Sequence, residues 1–232
     1  VEKRGMIRGK LDEDLADMRQ ALGRMGEMVD QAIGFAMEAL ESRDVLQARR
    51  VIGHDGAINA LRFDIEQRCL NLIARHQPAA GDLRSIVAGM NIVTDLERMG
   101  DHAAGIAKAV LRMPERRQVS ARPRIGKMAR MTRRMLERAL HAYWDGDGQA
   151  AHAVAEEDDL VDDWYIQIFH DLVSVMLEDP KTSEEALYLL FAAHNLERIA
   201  DRATNISERV IFMTSGEMRE LNPEPGEPLG ME

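Results

Sequence analysis

LRSIVAGMNIVTDLERMGDHAAGIAKAV, residues 83–110, is the stretch that decides the fold. No proline interrupts it, and its apolar residues recur every three or four positions, so it predicts one long helix. Ile92, Met99, Ala103, Ile106 and Val110 form one apolar stripe, suited to a core. Glu97 and Asp101 lie on the other side, four residues apart. Around the helix axis they fall within about 20° of Met90, so they continue a second apolar line begun at Leu83. The pattern returns about one hundred residues later in LYLLFAAHNLERIADRATNISERV, residues 187–210. There Glu197 and Asp201 continue the line of Leu187 and Leu190, with Ala192, Ile199, Ala203, Ile206 and Val210 opposite. One acid pair in one register on two helices of a single chain argues for an internal duplication.

Outward from these helices the rest of the chain divides evenly. Leu15, Met18, Leu22, Met25, Val29, Ile33, Ala36 and Leu40 predict a first helix over 11–42, long enough to imply a bundle. Its glycines at 23, 26 and 34 suggest close approach by another helix. Asp44 is the expected N-cap of a second helix over 45–75, faced by Val51, Ile58, Ile65, Cys69 and Leu72 and closed by Gln77-Pro78. The third helix covers 79–112. The second half repeats the layout with helices over 122–144, over 148–178, and from the break at Asp179-Pro180 to 214. The expected fold is therefore all-α: six long helices forming two tandem, similar three-helix bundles, 11–113 and 119–214. A proline- and glycine-rich tail over 215–232 is expected to be disordered or extended. A single continuous six-helix array is the alternative that periodicity leaves open.

Composition agrees and narrows the function. Hydrophobic residues make up 45% and charged residues 30%, ordinary for a globular chain, while aromatics are only 4%. The formal charge of −10 disfavours nucleic acid, which needs a positive field. One cysteine, Cys69, excludes an intrachain disulfide and fits a reducing compartment. No apolar run is long enough to span a membrane and the first residues lack a secretory pattern, so a cytoplasmic location is expected.

The acids are the chemistry-bearing feature. Besides the two repeated pairs, Asp158 and Asp162 stand four apart in the fifth helix, inside the acidic run 156–163, where Asp55 and Asn59 are their counterparts in the second. Carboxylates paired at i,i+4 on neighbouring bundle helices can hold hard cations, and bridging carboxylates can hold more than one. A solvated acidic face is the other reading of the same spacing. The candidate metal ligands are Glu97, Asp101, Asp158, Asp162, Glu197, Asp201 and Asp55. Serine, cysteine and histidine form no nucleophile constellation or HExxH motif, so no enzyme is expected. The Glu-x-x-His pairs of di-metal oxidases are missing as well.

Residues 74–84, ARHQPAAGDLR, followed by Asp95-Leu96-Glu97-Arg98-Met99-Gly100-Asp101-His102-Ala103, closely resemble the PhoU family of phosphate-transport accessory proteins. Asn195-Leu196-Glu197-Arg198-Ile199-Ala200-Asp201-Arg202 resembles that family's second copy, and the likeness covers about residues 11–213. It implies a pair of three-helix bundles and a negative regulator of the phosphate-starvation response. Such a regulator works with an ABC-type phosphate importer ATPase and a sensor histidine kinase, is often a homodimer, and associates with the membrane only through its partners. It also implies metal ions, iron or zinc with Mn or Mg as further candidates, in multinuclear clusters on the E/DxxxD motifs. Asn59 in place of an acid and Arg202 in place of a histidine depart from that pattern. The competing reading is a carboxylate-bridged metal-storage protein or di-metal enzyme unconnected with phosphate.

Overall fold

Apolar stripes three and four residues apart must be buried, and helices are the elements that can bury them. The computed structural model describes residues 2–114, 122–218 and 220–221. Among these there are only helices: α1 (Glu2–Ser42), α2 (Val45–His76), α3 (Ala80–Arg112), α4 (Arg122–Asp145), α5 (Gly148–Ala155), α6 (Asp158–Glu178) and α7 (Ser183–Ser215), with a 3₁₀ turn at Pro180–Thr182. The layout is the all-α, three-plus-three arrangement the periodicity predicts. The boundary residues 115–118 and the tail beyond 221 lie outside the described residues.

Local chemistry sets the helix ends. Asp44 caps α2, its Oδ1 accepting from the Leu46 and Gln47 amides at 2.8 and 2.9 Å. Asp147 caps α5 in the same way, accepting from Gln149 and Ala150 at 3.0 and 2.9 Å. The residue before each cap is left-handed, Arg43 at φ 62° and Gly146 at φ 63°, so the two turns are copies of one device. Gly216, at φ 80°, ends α7.

Two expectations are corrected. First, α1 begins at Glu2 and not near residue 11. Arg8 explains part of this, since it pairs with Asp12 at 3.0 Å along the helix and with Asp82 of α3 at 2.6 Å. Second, the helix expected over 148–178 is interrupted at Glu156-Glu157. Six acids in the eight positions 156–163 repel one another along a continuous helix. The break creates a new helix start, which puts Asp158 and Asp159 against the positive end of the α6 dipole. It also frees Glu157 to accept from Arg134 and Arg138 of α4.

The stripes named from sequence on α1 and α2 are buried, as is the Ile92–Val110 stripe of α3 and the Ala192–Val210 stripe of α7. On α6, Ile168 turns inward and Phe169 outward. Each fully buried aliphatic side chain stabilises the fold by about 1.5–3 kcal/mol. The apolar core runs continuously through both halves, because α3 packs along α7 and α1 against α4. The α1 glycines permit that second contact. A Cβ on Gly23 would stand 3.1 Å from the Trp144 ring, one on Gly26 would collide with Leu140, and one on Gly34 would touch Arg133.

Candidate metal centre

Docking of α6 on α7 decides where the second-half acids meet. Asp158 and Asp162 project from successive turns of α6, and Asp201 faces them from α7. Each of the three offers a carboxylate oxygen within 4.8 Å of the others, the one such trio among the described residues. Asp158 is buried, while Asp162 and Asp201 are half-buried. Glu197, one turn before Asp201, has an Oε2 that is buried and accepts no hydrogen bond, with His194 Nδ1 at 3.4 Å.

The electrostatics record the crowding. Burial, followed by the charges of Asp158 and Asp201, pushes the Asp162 carboxyl up to about 6. Burial, followed by Asp201, pushes Glu197 up to about 7, against the pull of Arg198. Asp201 is raised by burial, with Arg198 and Arg202 opposing. Desolvated like charges of this kind are relieved by a proton or by a cation. The donor set is all oxygen, partly orphaned and enclosed by two helices, which fits a hard ion such as Mg²⁺, Mn²⁺ or iron better than a soft one.

The first half places its acids differently. Asp55 of α2 approaches α3 at Gly100, where an added Cβ would lie 3.7 Å from Asp55 Oδ1 and 3.1 Å from Ile58. Burial and then Asp101 raise the Asp55 carboxyl. Glu97 is raised by burial and lowered by Arg62. Arg62 is the residue that spacing did not single out. Its Nη1 stands 3.8 Å from Glu97 Oε1 and its Nε 3.8 Å from Glu66 Oε1. Asn59, in the place of Asp162, has a buried Oδ1 that accepts no hydrogen bond. The first half therefore brings Asp55, Glu97 and Asp101 into electrostatic reach of one another without closing them into a trio.

Arg202 stays within electrostatic reach of Asp201 but forms its ion pair elsewhere. Its Nη1 reaches across the junction to Asp95 Oδ1 at 3.6 Å, and Asn205 Nδ2 lies 3.5 Å from the same oxygen. The mirror contact runs from His102 Nδ1, which donates to Asn195 Oδ1 at 3.1 Å. Asp95 and Asn195 each precede the repeated Leu-Glu-Arg, which was the one signal in the sequence for these junction residues. Arg198 stays on its own helix, with Nη1 3.3 Å from Asp201 Oδ2.

Comparison with known proteins places the whole arrangement. The family described as the PhoU domain matches twice, over residues 22–110 and 125–210. The chain belongs to the PhoU family. Each PhoU domain match coincides with one half of the duplication, carrying one LeuGluArg helix apiece. A phosphate-specific transport system accessory protein PhoU homolog from Clostridium acetobutylicum is 38% identical over 94% of this chain and 100% of its own length. Another from Aquifex aeolicus is also 38% identical, over 90% of this chain and 95% of its own. Among solved structures, the phosphate transport system regulatory protein PhoU from Streptococcus pneumoniae superposes with a TM-score of 0.85. It is 31% identical and the match covers 90% of this chain and 99% of that one. PhoU from Pseudomonas aeruginosa gives 0.84 at 34% identity, over 89% and 99% of the two chains. No helix among the described residues is long and apolar enough to cross a membrane.

Proposed function

We propose that this chain is a cytoplasmic regulator of phosphate uptake and phosphate-starvation signalling, an adaptor between an ABC-type phosphate importer ATPase and a sensor histidine kinase. The observation that carries this reading is the match of each half to the PhoU domain, in one fold with a phosphate transport system regulatory protein over 90% of the chain. The role is one of binding and not of catalysis. Phosphate status enters through the importer's conformation, and the helical faces of a dimeric regulator pass it on by preferring one state of each partner.

Within this reading, Asp158, Asp162, Asp201 and Glu197 hold a metal ion, with Asp55, Glu97 and Asp101 as the weaker counterpart. A bound cation supplies charge neutralisation between α6 and α7. The chain's own part is to present four carboxylates, Asp158 buried and the other three half-buried, from two helices at one place, so that occupancy fixes how those helices pack.

Pull-down with the importer ATPase and with the histidine kinase tests the adaptor role. Retention of either partner by the full chain is expected, and retention of neither sinks the reading.

A further inference from the structure

α4 is the basic helix of an acidic protein. Its Lys127, Arg130 and Arg134 are exposed and follow one another along one side of a groove against α6. The groove encloses about 390 Å³, and Met131, Leu160 and Trp164 give it an apolar floor. Leu160 is 49% exposed there, and Lys127 Nζ lies 5.7 Å from the centre of the Trp164 ring. The cations are only partly paired. Arg134 and Arg138 both donate to one oxygen, Glu157 Oε1, and Arg130 forms no ion pair among the described residues.

The first half contains a groove that overlaps this one in register and serves for comparison. In the register that lays Asp55 on Asp158, Met28 matches Met131 and Ile58 matches Val161, and these line a groove of about 310 Å³ between α1 and α2. Of the residues matching Lys127, Arg130 and Arg134, which are Arg24, Glu27 and Gln31, only the uncharged Gln31 lines that groove, and its one cation is Arg50 of α2. The two grooves overlap at these matched positions, whereas a row of three cations along the first helix of the pair is found in the second copy and not in the first.

We propose that the α4–α6 groove docks an acidic amphipathic segment of a partner protein. Apolar side chains of that segment lie over Met131, Leu160 and Trp164, while its carboxylates meet Lys127, Arg130 and Arg134. From Lys127 to Arg134 is about 10 Å along α4, two helical turns, which suits apolar anchors at i, i+4 and i+7 with acids on either side. A concave floor beside a cation row receives a ridge of side chains better than it receives a flat anionic bilayer. The inference goes beyond the phosphate role and stands or falls without it, because binding is read directly.

Trp164 supplies the readout, since Trp144 is the only other tryptophan and Trp144→Phe leaves one indole. The full chain carrying that change is titrated with a synthetic Leu/Glu amphipathic helix of about four turns. A scrambled peptide of the same composition and phosphatidylglycerol vesicles are titrated in parallel. The expected result is a saturable change in Trp164 emission with the amphipathic peptide. It should weaken with added salt and by about tenfold in Lys127→Glu/Arg130→Glu, while Met28→Gln in the α1–α2 groove leaves it unchanged. Both altered cations are exposed; should that variant fail to fold, Lys127→Gln/Arg130→Gln replaces it. Equal binding of the scrambled peptide, indifference to the cation changes, or response to vesicles in place of peptide overturns the proposal. Tighter peptide binding by a chain ending at Leu221 also overturns it, because it assigns the groove to the chain's own segment 222–232, which carries Glu224 and Glu227.

Discussion

The two halves start from one pattern and arrive at different sites. In the second, Asp158, Asp162 and Asp201 converge within 4.8 Å and burden one another with charge. In the first, Asn59 replaces the acid at the place of Asp162, and Arg62 brings a guanidinium to 3.8 Å from Glu97. The second-half residue in the place of Arg62 is Tyr165, whose ring lies 6.0 Å from that of His194 and adds no charge. The first half thus brings a counter-ion to Glu97 from the facing helix α2, whereas in the second Arg198 pairs with Asp201 from the same helix and Asp162 still stands crowded by Asp158 and Asp201. A repeat conserves helices and their contacts; its chemistry can diverge through two side chains.

That comparison breaks most readily at the metal. Elemental analysis of protein purified without added metal, followed by titration of the apo form, should show Asp162→Ala/Asp201→Ala lowering affinity on the order of a thousandfold, since two ligands are lost. Glu97→Ala/Asp101→Ala should cost far less. Equal losses would mean the halves are equivalent sites, whatever their geometry.

A second difference lies where the halves touch. Arg43 donates to the buried Glu185 at 2.6 Å, whereas the residues in their places in the other copies are Gly146 and Ser85. Arg43→Gly relieves about 1 kcal/mol of left-handed strain and removes a charge-assisted hydrogen bond to a buried carboxylate, worth about 3 kcal/mol. A net loss of about 2 kcal/mol in denaturant unfolding is the expectation, and a gain would show that backbone strain dominates at this turn.

The comparison sharpens if the first half is rebuilt as the second. Asn59→Asp with Arg62→Tyr should raise metal affinity there by about tenfold, as one ligand is added and one competing cation removed. Unaltered metal content in calorimetric titration would show that α2 and α3 stand in the wrong relation for a site.

Smallest is the effect of pH on the chelator-treated chain. Asp162 at about 6 and Glu197 at about 7 hold protons in the folded state that ordinary carboxyls have already released. Between about pH 4 and 7 the folded chain therefore binds more protons than the unfolded one, and stability falls as pH rises. Melting should be lower at pH 8 than at pH 5.5 by about 2–4 °C, with the difference removed by Asp162→Asn/Glu197→Gln or by added Mn²⁺. A rise in melting temperature toward pH 8 would contradict the assignment.

Much of this molecule was legible before any coordinates. The stripe from Leu15 to Leu40 on α1 and the twin stripes opposite Glu97 and Glu197 named the core, and Asp44 named a cap. Periodicity and capping are local properties, carried by residues within one or two turns of each other. The interruption at Glu156-Glu157 was harder to read, because helix propensity says little about charge repulsion or about Arg134 and Arg138 waiting on another helix. Arg62 and Asp95 escape a local reading for the same reason, since each acts on a residue of a different helix.

The sequence by itself determined an all-α duplication, its helix faces and the seven acids that could bind a cation. Only the tertiary structure decided that Asp158, Asp162 and Asp201 converge while Asp55, Glu97 and Asp101 do not, and that Arg202 turns away to Asp95. The physical reason is range. A helix fixes which way a side chain points, whereas the distance between two carboxylates on different helices depends on how every intervening core residue packs.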